Sequence, residues 1–458
     1  MGRITSAQAA AWCGGRYDPK YGDVTFLGAN NDSRLLAPGE LFVALEGARD
    51  GHGFIPAALE KGAAAVLCKH CDGDYPAIVV PEPRLALGDI ARQERRRLGM
   101  KVIGVTGSVG KSTTKEMIAC VLDGTYRVGK TPENHNNDIG MPMAILGMPE
   151  DTQVAVLEMG MNHFREMAYL TSIACPDVAV ILNIGTMHIE NLGSKEGILN
   201  AKLEILEGMR EDGKVILNGD DRLLWGQRDM ASIRPVYFGS LNPQCTYRGS
   251  TAVAEDGILR FDVSCGKLCF PVELALEGEH FAMDALAAVA VGMEMGVEPA
   301  KIQERLSHFR NMAGRQEIIR AGGYTVIRDC YNAGPESMSA ALRVLGSRPG
   351  RHVAVLGDML ELGVCTQAEH YRVGRIAAEN AQLLLAYGPN ARRVISGALT
   401  GGMAQANARE FDDQEKVLEA LKRMARPGDV ILFKGSHGMH MERIANAFLE
   451  TVRAEGKA

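Results

Sequence analysis

The twelve residues 104 to 115, GVTGSVGKSTTK, constrain this 458-residue chain more than any other stretch. An apolar run, Val102-Ile103-Gly104-Val105, precedes them and reads as a buried strand. Met117, Ile118, Val121 and Leu122 follow at helical spacing, and Gly124 closes the run. A strand, a glycine-rich turn carrying Lys-Ser, and a helix form the layout of a phosphate-binding loop. Glycine lets backbone approach phosphate closely, and the unpaired N–H groups of a helix start point at it. Lys111 is placed to reach terminal phosphates, and the Ser112 hydroxyl to bind Mg²⁺. Glycines stand at 104, 107 and 110, so the generic Gly-x4-Gly-Lys spacing misses its first glycine by one position.

The remainder of the chain reads as α/β. Apolar runs at 41–45, 64–67 and 78–80 predict short strands in a mixed α/β region over 1–98. Strands at 154–158, 178–183 and 214–218, with a helix over 197–209, predict a central parallel sheet flanked by helices over 99–314. Alternating runs at 258–263 and 268–272 predict antiparallel hairpins, and 282–295 a helix. Strands at 324–329, 352–358, 383–388 and 430–435 predict a Rossmann-like sheet over 315–458. No Gly-x-Gly-x-x-Gly follows its first strand, which argues against a nicotinamide cofactor.

The net charge of −6 supplies no basic field for nucleic acid or anionic membrane. The run from Arg92 to Arg97 reads as a solvated helix end near a boundary. Ten scattered cysteines are not a disulfide framework, and Cys68-Lys69-His70-Cys71 has no second pair to complete a zinc site. No apolar stretch is long enough to span a bilayer and no secretory leader is visible. A cytoplasmic protein is expected, and a monomer.

Glu158 follows an apolar strand, where open α/β sheets gather their ligands. It reads equally as a surface acid or a metal ligand. His188 and Glu190 follow the next strand within NIGTMHIENLGS, and a lone histidine there is commonly structural. A phosphate loop in the same region favours both as groups around a nucleotide. Lys202, in NAKLEIL, reads by itself as a solvated helix lysine.

TGSVGKSTTK, LEMG, NIGTMHIENLGSKEGILNAKLEI and LNGDD stand in the order and spacing of the central domain of the Mur ligases. These are ATP-dependent amide-bond ligases that build the peptidoglycan stem peptide. VLGDMLELG, FKGSHGMHMERI and DCYNAGPESM resemble the C-terminal domain of the dipeptide-adding member, and 31–55 resembles its uridine-nucleotide segment. The resemblance implies a ligase joining D-alanyl-D-alanine to UDP-N-acetylmuramoyl-tripeptide, with ATP and Mg²⁺. It implies three domains, 1–98 for the UDP-sugar, 99–314 for ATP and 315–458 for the dipeptide. It places ATP against Thr106, Gly107, Ser108, Val109, Gly110, Lys111, Ser112, Thr113 and Asn218, with Arg315 and Asp329 closing on it. Metal falls to Ser112, Glu158, His188 and a carbamylated Lys202, and catalysis to Lys111, Lys202 and His188. Substrate falls to Ser33, Arg34, Asn136, Asn137, Asp358, Lys434, Gly435 and Ser436.

The chain departs from the family pattern in four places. Asp284 stands for an asparagine that faces adenine, and an ionised carboxylate only accepts hydrogen bonds. Gly334 stands for an asparagine, and His437 and His440 for arginines. Histidine lacks arginine's permanent charge and fork, so dipeptide binding is expected to be weaker or more pH-sensitive. Rival readings are a sister ligase adding one amino acid, a folylpolyglutamate-type ligase, and a nucleotide-binding regulatory protein. The absence of Asp-Asn-Pro-Arg and the uridine-like start argue against the first two.

Overall fold

The computed structural model describes residues 4–229, 234–255 and 257–455. Two compact units emerge, 1–182 with 199–247 and 285–305, and 183–198 with 248–284 and 306–458.

In the first unit, residues up to 80 build a five-stranded sheet. Its order is Arg16–Tyr17, Ala77–Val79, Ala65–Cys68, Leu41–Val43 and Ala29–Asn30, parallel except at the first pairing. The central sheet of this unit is parallel. Lys101–Thr106 lies between Val154–Glu158 and Val178–Ile181. Val128–Lys130 extends it on one side, Lys214–Asn218 and Val236–Gly239 on the other. The three middle strands are apolar except at their ends, where Lys101, Thr106 and Glu158 stand, because helices cover both faces of a parallel sheet. From Lys101–Thr106 the chain fills one side, then crosses to the other. The carboxyl end of that strand is therefore a topological switch point, where such sheets bind ligands. The predicted strands at 154–158 and 214–218 match end to end. The predicted helix at 197–209 is shorter. Lys195–Leu203 is α-helical, and Glu204–Leu206 tightens to a 3₁₀ turn. There the buried Glu204 carboxylate accepts the N–H groups of Arg165 and Ala168.

The arginine run ends a helix as expected, with Arg96 and Arg97 exposed, but Arg95 forms a buried seam. It belongs to the helix Pro83–Leu98. Arg95 is buried and donates to the carbonyls of Ala174 (3.0 Å) and Cys175 (2.8 Å) and to Asp177 (3.2 Å). Asp177 also accepts the Val102 N–H at 2.8 Å, so one carboxylate joins this helix to the strand that carries the phosphate loop.

In the second unit, Ile258–Cys265 and Leu268–Leu274 form the predicted antiparallel hairpin. A six-stranded sheet runs Glu317–Ala321, Tyr324–Asp329, Asp429–Lys434, Arg351–Gly357, Leu383–Tyr387, Ala408–Phe411, parallel except for its first pairing. Sequence patterning missed Glu317–Ala321 and Ala408–Phe411, both at sheet edges, where half-exposed strands mix polar and apolar residues. Among the described residues no helix is long and apolar enough to cross a membrane.

Replacing Arg95 with Ala strands one buried and two part-buried acceptors, a loss of about 3 kcal/mol. Urea unfolding of Arg95→Ala followed by circular dichroism should show that loss in the first unit's transition, whereas Arg92→Ala, at a half-exposed position, should cost less.

Candidate active site

The loop after Lys101–Thr106 takes its shape from two glycines. Gly110 caps the helix Lys111–Leu122 at φ +85°, where a side chain would be strained. A Cβ on Gly107 would stand 2.9 Å from the Leu182 side chain, so the loop can pass that strand only without one. The Lys111 ammonium folds back over the loop and donates to the Gly107 carbonyl at 2.9 Å. A bound phosphate would compete for that ammonium. Ser112 is buried and donates to Glu158 Oε2 at 2.7 Å. Asn136 donates to Glu158 Oε1 at 2.9 Å, and Thr131 Oγ1 accepts the Glu158 N–H. Glu158 is thus a buried acid at a strand end with both oxygens directed, not the surface acid its sequence position allowed. Thr106 Oγ1 is buried with no hydrogen-bond partner. Thr113 lies buried in the helix's first turn.

Lys202 overturns its plain reading as a solvated lysine, because it is 2% exposed. No carboxylate among the described residues pairs with it. Burial, reinforced by the Lys111 ammonium, pushes its pKa well below the ordinary lysine value. Burial thus favours the neutral amine, which is the nucleophilic form.

Other expected residues are committed to the scaffold. Asn137 Oδ1 accepts the N–H groups of Ile139 and Gly140 at the start of the helix Gly140–Leu146. Asn218 donates to the Leu182 carbonyl at 2.9 Å. Ser33 is buried, while Arg34 is exposed and grips Asp32 through two nitrogens.

In the second unit the expected residues converge. Asp329 accepts from Lys434 at 2.7 Å, and Lys434 also donates to the Asn332 carbonyl at 2.9 Å. The Arg315 guanidinium lies 3.6 Å from the Tyr331 ring centroid, and the His437 ring lies 6.1 Å from Tyr331. Ser436 donates to the Ala333 carbonyl and accepts the Leu360 N–H. A Cβ on Gly435 would stand 2.7 Å from Met441, which demands glycine. Asp358 is buried and satisfied by Asn390, whose side chain donates at 2.7 Å. Sequence reasoning missed Thr131, Tyr331 and Asn390. Tyr331 had a signal, since it sits inside DCYNAGPESM, whereas Thr131 and Asn390 act only through contacts distant in sequence. His188, on the segment 183–198, has its Nδ1 2.6 Å from Glu361. Gly334 admits the Met187 side chain, since a Cβ there would meet it at 2.9 Å, and the departure from asparagine has a packing reason.

The Mur ligase middle domain matches residues 105–292, and the Mur ligase glutamate ligase domain matches 314–437. The UDP-N-acetylmuramoyl-tripeptide–D-alanyl-D-alanine ligase of Bacillus subtilis (strain 168) is 38% identical over 443 residues, covering 95% of both chains. This chain belongs to the Mur ligase family. Two solved Mur ligases agree along their length. MurF from Acinetobacter baumannii superposes with a TM-score of 0.89 at 30% identity, covering 98% of this chain and 99% of that one. MurF from Thermotoga maritima, in complex with ADP, gives 0.82 at 28% identity, covering 94% and 99%.

Proposed function

We propose that this chain is an ATP-dependent ligase that joins D-alanyl-D-alanine to UDP-N-acetylmuramoyl-tripeptide, giving the UDP-linked pentapeptide, ADP and phosphate. The observation that carries the reading is a constellation in one unit. A phosphate loop, a directed Ser112–Glu158 pair and a buried Lys202 occur together. The full-length likeness to the Bacillus ligase selects the substrates.

A carboxylate is a poor electrophile, so an amide requires activation. The γ-phosphoryl of ATP passes to the tripeptide's terminal carboxylate, the dipeptide amine attacks the acyl phosphate, and phosphate leaves. Catalysis of the first step rests on positioning and charge neutralisation. Thr106, Gly107, Ser108, Val109, Gly110 and Thr113 shape the loop, whose N–H groups at the helix start cradle the phosphates. Lys111 leaves the Gly107 carbonyl for the transferring group. Arg315 and Asp329 complete the nucleotide's surroundings, and Asn218 supports them by fixing its strand end. Asn136 orients Glu158.

The residues fit a divalent cation. The Thr106 hydroxyl is an orphaned buried oxygen, and Ser112 and Glu158 already share a proton donor–acceptor contact that a hard cation can replace. Ser112, Glu158, His188 and a carbamylated Lys202 would hold Mg²⁺, which supplies neutralisation of phosphate charge. The neutral Lys202 amine adds to CO₂ with loss of a proton, turning a would-be cation into an anionic oxygen ligand. Ser33 and Arg34 serve the UDP group, Asn137 orders the cleft, and Asp358, Lys434, Gly435 and Ser436 shape the dipeptide side. Three domains, 1–98, 99–314 and 315–458, divide these tasks. Asp284 deprives adenine of one donor, and His437 and His440 make dipeptide binding more pH-sensitive than arginines would. The enzyme works as a cytoplasmic monomer.

Lys111→Ala should lower ADP release by at least about a thousandfold, in line with loss of a transition-state charge clamp; near-normal release would remove the loop from the mechanism. Lys202→Ala should be comparably inactive and partly restored by formate or acetate, with no added mass of 44 on the intact peptide. Dipeptide-independent phosphate release would favour a nucleotide hydrolase.

A further inference from the structure

His188 and Glu361 are both held at left-handed backbone angles, φ +64° and +62°, which residues with side chains seldom adopt. They face each other across two segments of the second unit, 183–198 and 334–363. His188 Nδ1 lies 2.6 Å from a Glu361 oxygen, although the two are not aligned as a hydrogen bond. Three further contacts fix the same pair of segments. Thr186 Oγ1 lies 3.3 Å from both Glu336 oxygens. A Cβ on Gly334 would meet Met187 at 2.9 Å. A Cβ on Gly363, itself at φ +49°, would meet Glu190 at 2.9 Å. The segments therefore approach so closely that glycine is required on one side at two places. The nearness of His188 to Glu361 is built by the packing around it, and does not depend on their mutual attraction.

We infer that Glu361 is the positioning residue of His188. The inference rests on the reading of His188 as a group that holds metal. A neutral imidazole has one N–H and one lone pair, and the partner of one nitrogen decides which is which. A carboxylate at Nδ1 keeps the proton there and leaves the Nε2 lone pair for a cation. Metal-binding histidines owe both ring orientation and basicity to such carboxylate partners. The His188 side chain is 14% exposed, so water competes poorly for the same nitrogen, while Glu361 is half exposed and needs no burial of its charge. Glu361 lies inside VLGDMLELG, from a stretch of chain remote in sequence from the phosphate loop. A residue of the acceptor-side motif thereby sets the state of a metal-side group.

The test compares full-length wild type with Glu361→Ala, Glu361→Gln, His188→Ala and the double variant. Mn²⁺ binding in the presence of a non-hydrolysable ATP analogue is read by electron paramagnetic resonance. The His188 tautomer is read by ¹⁵N chemical shifts of histidine-labelled protein, with folding checked on the other histidine signals. Glu361→Ala should weaken Mn²⁺ binding by about ten- to a hundredfold and move His188 from the Nδ1–H form to a mixture. Glu361→Gln should fall between wild type and Glu361→Ala, because it keeps an oxygen opposite Nδ1 but loses the charge. The double variant should bind no more weakly than His188→Ala, as expected of a residue acting through another. If His188→Ala loses Mn²⁺ while Glu361→Ala keeps both binding and tautomer, the inference fails and the metal reading stands. An additive loss in the double variant would make Glu361 a ligand in its own right and also overturn it. Unchanged Mn²⁺ binding in His188→Ala would overturn the metal reading and the inference together.

Discussion

Lys202 is enclosed by protein with no acid paired to it among the described residues, and burial weighs against its ammonium form. An unpaired buried charge costs several kcal/mol, which favours a neutral or chemically changed side chain. In the proposed reaction the neutral amine would add to CO₂, and the carbamate would reverse the charge. Glu158 is buried and directed by Ser112 and Asn136, and a cation would offset a second anionic oxygen placed beside it. Lys111, whose charge helps to lower the Lys202 pKa, is the group a phosphate would draw away.

The scaffold explains why these residues meet. A parallel sheet places strand ends in a row, and the strand Lys101–Thr106 lies where connections diverge to either side. Thr106, the loop, Glu158 and Asn218 all occupy carboxyl ends of strands or the turns just after them. Arg95 and Asp177 secure the opposite ends of the same strands. In the second unit, Asp329 and Lys434 close adjacent parallel strands, which sets their ion pair at 2.7 Å. Strand register therefore decides which side chains can converge.

Much of this was legible in the sequence, for identifiable reasons. The buried central strands announced themselves as unbroken apolar runs, and the phosphate loop by its glycines and Lys-Ser. Edge strands such as Glu317–Ala321 escaped because partial exposure dilutes the pattern. Lys202 was legible only through family resemblance, since nothing local distinguishes a buried lysine from a solvated one on a helix. Arg95 was misread for the complementary reason. Its partners are backbone carbonyls some eighty positions away, and composition alone made the run look like a charged helix end. Residues that work through long-range contacts, Thr131 and Asn390 among them, leave no trace in local pattern. The departures Gly334 and His437 differ in kind. The first is explained by the Met187 side chain that occupies its space, while the second leaves an imidazole beside Tyr331 where the family carries a guanidinium.

The central claim is that phosphate is handed to the substrate carboxylate before the amide forms. Isotope transfer tests it most directly. The tripeptide substrate is prepared with ¹⁸O in both oxygens of its terminal carboxylate and turned over with ATP and D-alanyl-D-alanine, and the released phosphate is analysed by mass spectrometry. The account predicts one ¹⁸O in the phosphate for every amide made, because the oxygen bridging to phosphorus leaves with it. Unlabelled phosphate released in step with pentapeptide would contradict it.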